Sequence, residues 1–282
     1  MRKSDKYGMM PVQPYLILGT DQYQTIVEQG DGISHFYHFV LEEKQQNEMT
    51  AVPDGSVDLL FGIGENDIRT FIGGTVLSAK RWEFEEGRKY FGICFQPGGC
   101  HLPAALSIGD LVNNDLEIDG NLFGTNLLEK LAEAKDLESC STIFLQEYRR
   151  ARTEQFPNHI GTLEQYMRMR IYEEKGNISI KALAEETGYS ECYIRRIFRQ
   201  AHGISPKNFE RFVRFQNVLH IMNHAPNRLH LDELAQECGY FDEPHMMKDF
   251  KSFAGVTPQS YNKMIEGTKL RAAGTDAVSQ AI

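Results

Sequence analysis

Long hydrophobic runs are missing from this 282-residue chain: no window approaches eighteen uncharged apolar residues, which excludes a membrane-spanning helix. The opening Met1-Arg-Lys-Ser-Asp-Lys6 has no apolar stretch behind it, so no secretory signal is expected. Cysteine is scarce. Its five copies are odd in number and form no C-x-x-C, which argues against a disulfide framework or a structural zinc site and fits a reducing cytosol. Signatures of common catalysts are absent too. There is no G-x-S-x-G, no P-loop and no Rossmann glycine set, and Gly62-Ile-Gly64 lacks the rest of that fingerprint. Neither catalysis nor a cofactor is expected.

What is present is the composition of a globular chain, 41% hydrophobic and 24% charged, which excludes disorder, collagen and coiled coil. The length suits one large domain or two of ordinary size. The net charge of -9 looks wrong for a nucleic-acid binder, but it is unevenly spread. Residues 1–158 hold 14 Lys+Arg against 24 Asp+Glu, whereas residues 159–271 hold 16 against 14 and six of the nine histidines. The asymmetry suggests two domains with different partners. Local placement of cations, not the total, decides whether DNA is bound.

Residues 12 to about 100 read as short strands broken by turns. Val57-Asp-Leu-Leu-Phe-Gly-Ile63 is an apolar run after the turn Pro53-Asp54-Gly55. Trp82 and Phe84 alternate with Glu83 and Glu85, and Phe91, Ile93 and Phe95 alternate with Tyr90, Gly92 and Cys94. Short strands at this spacing predict a sandwich or small barrel. After Gly99 the texture turns helical. A helical stretch is expected near Leu102–Leu106, then one carrying Leu127, Leu128 and Leu131. Another carries Leu137, Ser141, Phe144, Leu145 and Tyr148 and ends in Arg149-Arg-Ala-Arg152. Pro157-Asn158 reads as a linker.

The most informative feature is an internal repeat. Ile178-Ser-Ile-Lys-Ala-Leu-Ala-Glu-Glu-Thr-Gly-Tyr189 is matched by Leu229-His-Leu-Asp-Glu-Leu-Ala-Gln-Glu-Cys-Gly-Tyr240. Phe198, Gly203 and Ser205-Pro206 are matched by Phe250, Gly255 and Thr257-Pro258. The offset is 51 up to the tyrosines and 52 beyond them, so the second copy carries one extra residue. Each copy meets the requirements of a helix-turn-helix. Ala184 is small where two helices cross, Gly188 suits the positive φ of the turn, Ser190 suits a cap, and Ile194 returns to the core. Ala235, Gly239, Asp242 and Met246 are the counterparts, and Pro244 falls in a first helical turn, where proline is tolerated. Between the copies, Phe212, Phe215, Leu219 and Met222 make one stripe, broadened by Val213, Val218 and Ile221. A helix apolar on more than one side packs between two lobes. About 15 residues of it span roughly 22 Å.

With these motifs, residues 160–265 resemble the DNA-binding domain of AraC-family transcriptional regulators, in which two helix-turn-helix units joined by a linker helix sit in successive major grooves. The segments Pro53-Asp-Gly-Ser-Val-Asp-Leu-Leu-Phe61 and Gly92-Ile-Cys-Phe-Gln-Pro-Gly98 are similar to the N-terminal β-domain of one branch of that family. The resemblance implies an α+β chain. A β-barrel or cupin-like effector-binding and dimerisation domain, with helices, would occupy residues 1–155. An all-α domain would occupy residues 156–268, with units near 178–206 and 229–258, and a polar, disordered tail residues 269–282. It implies double-stranded promoter DNA, RNA polymerase, a small-molecule effector and a second copy of the chain as partners. The location would be cytoplasmic, and the helices near 125–152 would dimerise.

On the first recognition helix Ile194, Ile197 and Phe198 face inward, leaving Cys192, Arg195, Arg196 and Arg199 for the groove or the phosphates. The resemblance puts base contacts on Cys192, Arg195 and Arg196, and in the second unit on Glu243, Pro244, His245, Met247 and Lys248. Arginine reads guanine O6 and N7 with two bonds. The helix starts at Ser179, Pro206, His230 and Pro258 present free N–H groups to phosphates, and Lys181, Arg199, Lys207, Arg211 and Lys251 add charge. Asp242, Glu243 and Asp249 make the second unit the more acidic, so the first is expected to read DNA more firmly.

In the N-terminal half Tyr37, Trp82, Tyr90 and Phe95 are candidates for the lining of an effector pocket, against the plainer reading that they are core. His35 and His38 stand three apart on a strand, on opposite faces, so one metal does not take both and no metal site is expected. An alternative function, a DNA-tethered enzyme or an alkyl-accepting or redox protein, rests on Cys94 or Cys100 beside the Pro97-Gly98-Gly99 turn.

Overall fold

The computed structural model describes residues 10–28, 30–41, 48–103, 105–155, 162–224 and 230–266. Pro157-Asn158, Leu229 and the tail lie outside them. The N-terminal part opens with a short helix α1 (Pro14–Gly19). Its main sheet has six antiparallel strands in the order β1 (Asp21–Val27), β2 (Ile33–Val40), β7 (Lys89–Phe95), β4 (Val57–Ile63), β5 (Ile68–Gly74) and β8 (Asp115–Ile118). A two-stranded ribbon of β3 (Glu48–Ala51) and β6 (Lys80–Glu83) stands apart from it. The sheet is open, with β1 and β8 as its edges, so the expected β-rich domain is present but is not a closed barrel.

Side-chain alternation sorts each strand onto two faces. Phe36, Leu59, Phe61, Phe91, Ile93 and Phe95 pack on one side with Phe144 and Tyr148 of the long helix α4 (Leu137–Gln155). The Phe144 ring lies 6.1 Å from Phe36 and 6.4 Å from Phe61, and Tyr148 lies 5.6 Å from Phe95. Leu127 and Leu131 of α3 (Leu127–Glu133) join the same cluster. The apolar stripe of α3 and α4 is therefore spent on the chain's own core. Each such buried side chain contributes about 1.5–3 kcal/mol, so the stripe favours the sheet over solvent. The opposite face carries Tyr37, Phe39, Tyr90 and Cys94 and is covered by Met49 and Phe84 of the ribbon side. No helix occurs at Leu102–Leu106 among the described residues; α2 (Ile108–Leu111) starts later, because Ser107 supplies the cap by accepting from Gly109 N at 3.2 Å.

Helices build the C-terminal part: α5 (Thr162–Glu173), α6 (Ile180–Thr187), α7 (Glu191–His202), α8 (Pro206–His224), α9 (Leu231–Glu237), α10 (Glu243–Ala254) and α11 (Pro258–Ile265). The nineteen residues of α8 span roughly 28 Å. Phe209, Phe212, Val213, Phe215, Val218, Leu219 and Met222 are all buried, as are the polar Glu210, Arg214, Gln216 and Asn223, so α8 is enclosed on nearly every side, as a shared strut requires. On one side it packs with α7 through Phe198 and Phe209, ring centres 5.3 Å apart. On another, Phe215 meets Phe250 and Phe253 of α10 at 5.4 and 5.3 Å.

The strut has a third neighbour that the sequence did not announce. Val52 from the N-terminal part belongs to the same apolar cluster, and Tyr15, Ile17, Leu18 and Val112 pack against it. Gln216, buried in the middle of α8, receives a hydrogen bond from Val12 N at 3.0 Å and donates to Pro53 O at 2.9 Å. The two parts of the chain are thus docked through a polar contact set in an apolar seam.

Candidate nucleic-acid interface

The two units are built by the same local chemistry. Ser190 Oγ accepts from Tyr193 N at 3.3 Å to start α7, and Asp242 Oδ1 accepts from His245 N at 2.8 Å to start α10. Gly188 takes φ +74 between α6 and α7, the left-handed conformation that the turn demands. Gly239 takes φ +79 in the corresponding turn. The additional residue of the second copy is Phe241, inserted between the matched tyrosines and the matched caps. The insertion redirects the turn. Tyr240 is buried under the Arg214 guanidinium, 5.3 Å from the ring centre, whereas Tyr189 is exposed and stacks on Tyr193 at 5.0 Å. Phe241 itself is left 89% exposed at the foot of α10.

On α7, Ile194 and Phe198 are buried while Cys192, Arg195, Arg196 and Arg199 are exposed. Arg195 Nη2 pairs with Glu191 at 2.6 Å, an exposed one-turn pair of little energetic weight. Arg196 lies over the Tyr193 ring at 5.0 Å. On α10, Pro244, His245, Lys248 and Lys251 are exposed, and Glu243 and Met247 are partly so. Ser179 Oγ caps α6 through Ala182 N at 3.0 Å, and exposed Lys181 and Lys207 flank that helix start.

Two expectations need correction. Arg211 is not a free cation for the phosphates: its Nη2 and Nε bind the Asp249 carboxylate at 2.7 and 3.2 Å. For the same reason Asp249 adds no acidity to the surface, being 2% exposed and matched by that guanidinium. The second unit is less acidic toward solvent than its sequence suggests.

The placement of contacts along the recognition helices is the central geometric finding. Their C-terminal ends are held by the N-terminal part. A side chain on Gly203, at φ +71, would strike Val112 and the Ile108 carbonyl of α2. Ser252 O accepts from Ala79 N at 3.1 Å, and Ala254 O accepts from Tyr15 Oη at 2.6 Å. Beneath the Gly98 turn lies a buried trio. Glu164 Oε1 accepts from Arg168 Nε at 2.9 Å and from His202 Nε2 at 2.7 Å. Burial opposes the Glu164 charge, but these donors outweigh it and hold its carboxyl below the ordinary value; burial pushes His202 below its own, against the pull of Glu164. The N-terminal turns of α7 and α10, where the sequence put the DNA-reading residues, remain uncovered.

A cavity of about 730 Å³ lies between the main sheet and the ribbon. Tyr37, Trp82 and Tyr90 line it as expected, but Phe95 does not, because its position in β7 turns it to the α4 face. Sequence reasoning missed the polar end of the cavity. Ser56 Oγ donates to Asp54 Oδ1 at 2.7 Å and reaches Asp58 Oδ2 at 3.3 Å, and Tyr37 Oη donates to Asp58 Oδ1 at 3.0 Å. Gln13 ties Asp54 to the loop by donating to its Oδ2 at 2.7 Å and to Val52 O at 2.8 Å. A signal was available. Asp58 is the one charged residue in the run Val57–Ile63, at a position that faces the cavity. Burial, with the neighbouring Asp54 charge, pushes the Asp58 carboxyl up to about 7.

Cys94 is buried and Cys100 partly so. Burial pushes both thiols far up, which removes the thiolate that alkyl transfer or redox chemistry needs. Among the described residues no group of three or more His, Cys, Asp and Glu is arranged for a metal, and no helix is long and apolar enough to cross a membrane.

Two helix-turn-helix units on one strut define the class: a DNA-binding domain carried beside a β-rich domain with an internal cavity. A family model described as a helix-turn-helix domain matches residues 183–264, and one described as a domain of unknown function (DUF6597) matches residues 31–117. The C-terminal domain is a double helix-turn-helix, and the first of these models spans both of its units. An uncharacterized HTH-type transcriptional regulator of Haemophilus influenzae is 33% identical over 86 residues, which cover 30% of this chain and 28% of that protein. Among solved structures, the C-terminal domain of AraT, a response regulator from Geobacillus stearothermophilus, is similar at 21% identity and a TM-score of 0.35, over 38% of this chain and 88% of that one. ToxT from Vibrio cholerae is similar at 11% identity and a TM-score of 0.43, over 88% of this chain and 100% of that one.

Proposed function

We propose that the protein is a cytoplasmic, sequence-specific transcription regulator that grips promoter DNA with α7 and α10 and is controlled by a small molecule in the N-terminal cavity. The observation that carries this reading is the polarity of the recognition helices. Their C-terminal ends are held by the cavity-bearing domain, while Arg195, Arg196, His245 and Lys248 stand in solvent toward the other ends. In this reading Arg195 and Arg196 of α7 each read a guanine, and Ser179, Lys181, Arg199, Lys207 and Lys251 meet phosphates. Arg211 is left out of that set.

Control by a ligand requires two arrangements with different DNA affinity. Support for a route comes from residues 52–56. Asp54 and Ser56 face the cavity, while Val52 and Pro53 of the same loop touch the strut, and a side chain on Gly55 would strike Phe209 of α8. In this reading the chain acts as a homodimer and meets RNA polymerase at the promoter.

The test is a footprint and a salt titration on one selected site. A monomer is expected to protect about 20 base pairs as two half-sites about 10 apart. With about 6–8 phosphate contacts, log affinity falls against log salt with a slope near -5 to -7. A slope near zero defeats the assignment.

A further inference from the structure

The electrostatics of the cavity are one-sided. Among the described residues, six carboxylates and one guanidinium, Arg69, stand along its wall. That guanidinium is already spent: Arg69 binds both Glu117 oxygens, at 3.0 and 2.7 Å, and also pairs with Glu85. At the inner end the donors to the Asp54–Ser56–Asp58 cluster among the described residues are neutral groups: Gln13, Tyr37, Cys94, Ser56 and the Ser56 backbone N–H. No Lys or Arg pairs with either carboxylate among the described residues. Two carboxyl groups without a counter-cation are costly to keep ionised away from water, and a cation supplied from outside relieves that cost.

The rest of the wall fits the body of an organic molecule. Tyr23 stacks on Tyr37 with ring centres 6.1 Å apart, and Trp82 and Phe84 close the ribbon side. Rings around a carboxylate favour a cation twice, by attraction to the π faces and by excluding water. His35, only 5% exposed, also lines the cavity; among the described residues its hydrogen bond runs from Nδ1 to Ser34, and its ring lies 5.8 Å from that of Tyr37. Burial pushes His35 down to about 4, so it meets a cation as a neutral ring. A volume of about 730 Å³ suits a single organic molecule of moderate size.

We infer that this cavity binds an organic cation, a protonated amine on an apolar or aromatic body, with Asp58 as its counter-ion and Asp54 behind it. The inference rests on the reading of the N-terminal domain as the effector domain and names the ligand class of that same site. The ammonium displaces the proton that Asp58 otherwise shares, so binding releases protons and strengthens as pH rises from 6 to 8. The titratable groups facing Asp58 are Asp54 before β4, whose carboxyl burial also raises, Tyr37 on β2 and Cys94 on β7, with Tyr23 on β1 beyond Tyr37; burial keeps the two phenols and the thiol uncharged in that range.

The test is calorimetry on the full chain without DNA, using two matched series: 2-phenylethylamine, 2-phenylethanol and phenylacetate, then tryptamine, tryptophol and indole-3-acetate. In at least one series the amine is expected to bind about tenfold or more tighter than its alcohol, with the carboxylate weakest. Asp58→Asn, folded by circular dichroism, is expected to abolish that preference while leaving the alcohol unchanged. The inference is overturned if the alcohols or carboxylates bind as tightly as the amines. It is equally overturned if no amine binds at millimolar concentration, or if Asp58→Asn binds amines as the parent does. Because no DNA is present, these failures leave the footprint assignment standing, and a failed footprint leaves the cavity chemistry standing.

Discussion

Gln216, near the middle of the strut helix, donates to the carbonyl of Pro53, one residue before the carboxylate at the inner end of the cavity. The same amide accepts from Val12 N and donates to Val12 O, so one side chain joins α8 to two segments of the N-terminal domain. It joins the loop beside the cavity directly to the element that sets the spacing of α7 and α10.

Gln216→Leu fills the same space but leaves the Val12 N–H and the Pro53 carbonyl without partners. Urea unfolding is expected to show a loss of about 1–3 kcal/mol. DNA affinity without ligand should change little, whereas the response of DNA binding to a cavity ligand should weaken. An intact response with the expected loss of stability would remove Gln216 from the route.

Arginines in and beside the recognition helices should separate by role. Arg195→Ala and Arg196→Ala are expected to leave the melting temperature within experimental error and to cost about 1–3 kcal/mol on a cognate site, with far less on random DNA. Arg211→Ala should do the reverse in stability, losing about 2–4 kcal/mol, because Asp249 is left buried and unpaired; the partial exposure of the guanidinium discounts the full cost. Thermal melts and competition binding on the same preparations separate the two classes.

Gly92→Ala probes the cavity wall. A methyl there would sit inside the Tyr37 ring, which covers this glycine from the neighbouring strand. The ring must leave, taking its hydroxyl from Asp58, at an expected cost of about 1–3 kcal/mol. A changed near-ultraviolet circular dichroism spectrum and lost amine binding are the readouts.

Asp58 makes stability depend on pH in a defined direction. Burial, reinforced by Asp54, raises its carboxyl from 3.8 in the unfolded chain to about 7 in the fold. A group raised in this way contributes stability that is complete below pH 4 and is lost as pH rises through about 7. Asp58→Asn is therefore expected to melt higher than the parent at pH 8, with the gap closing toward pH 4. Parallel melting curves at both ends would contradict the raised value.

The duplicated C-terminal domain was almost fully legible from Gly188, Gly239, the caps Ser190 and Asp242, and the stripe on α8, because these follow from rules acting within a few residues. Strand alternation likewise separated His35 from His38, and Tyr90 from Phe91. Misreadings arose where a distant partner decides. Arg211 and Asp249 each look exposed by their surroundings in the chain, yet they meet across 38 positions. Phe95 stands out of phase with Tyr90 on β7, so the two aromatics fall on opposite faces and only Tyr90 reaches the cavity. Leu102–Leu106 has helical residues but no cap, and the chain waits for Ser107.

Local chemistry alone settled that this protein has two helix-turn-helix units on one rod, since turn glycines, capping hydroxyls and a 3.6-residue period are written in consecutive residues. Tertiary structure alone decided that the rod also carries the N-terminal domain, that the recognition helices are held at their carboxyl ends, and that two aspartates share a serine beside an aromatic-walled space. Those outcomes depend on which buried groups find partners when distant segments meet, and hydrogen-bond satisfaction across a seam leaves no periodic trace in a sequence.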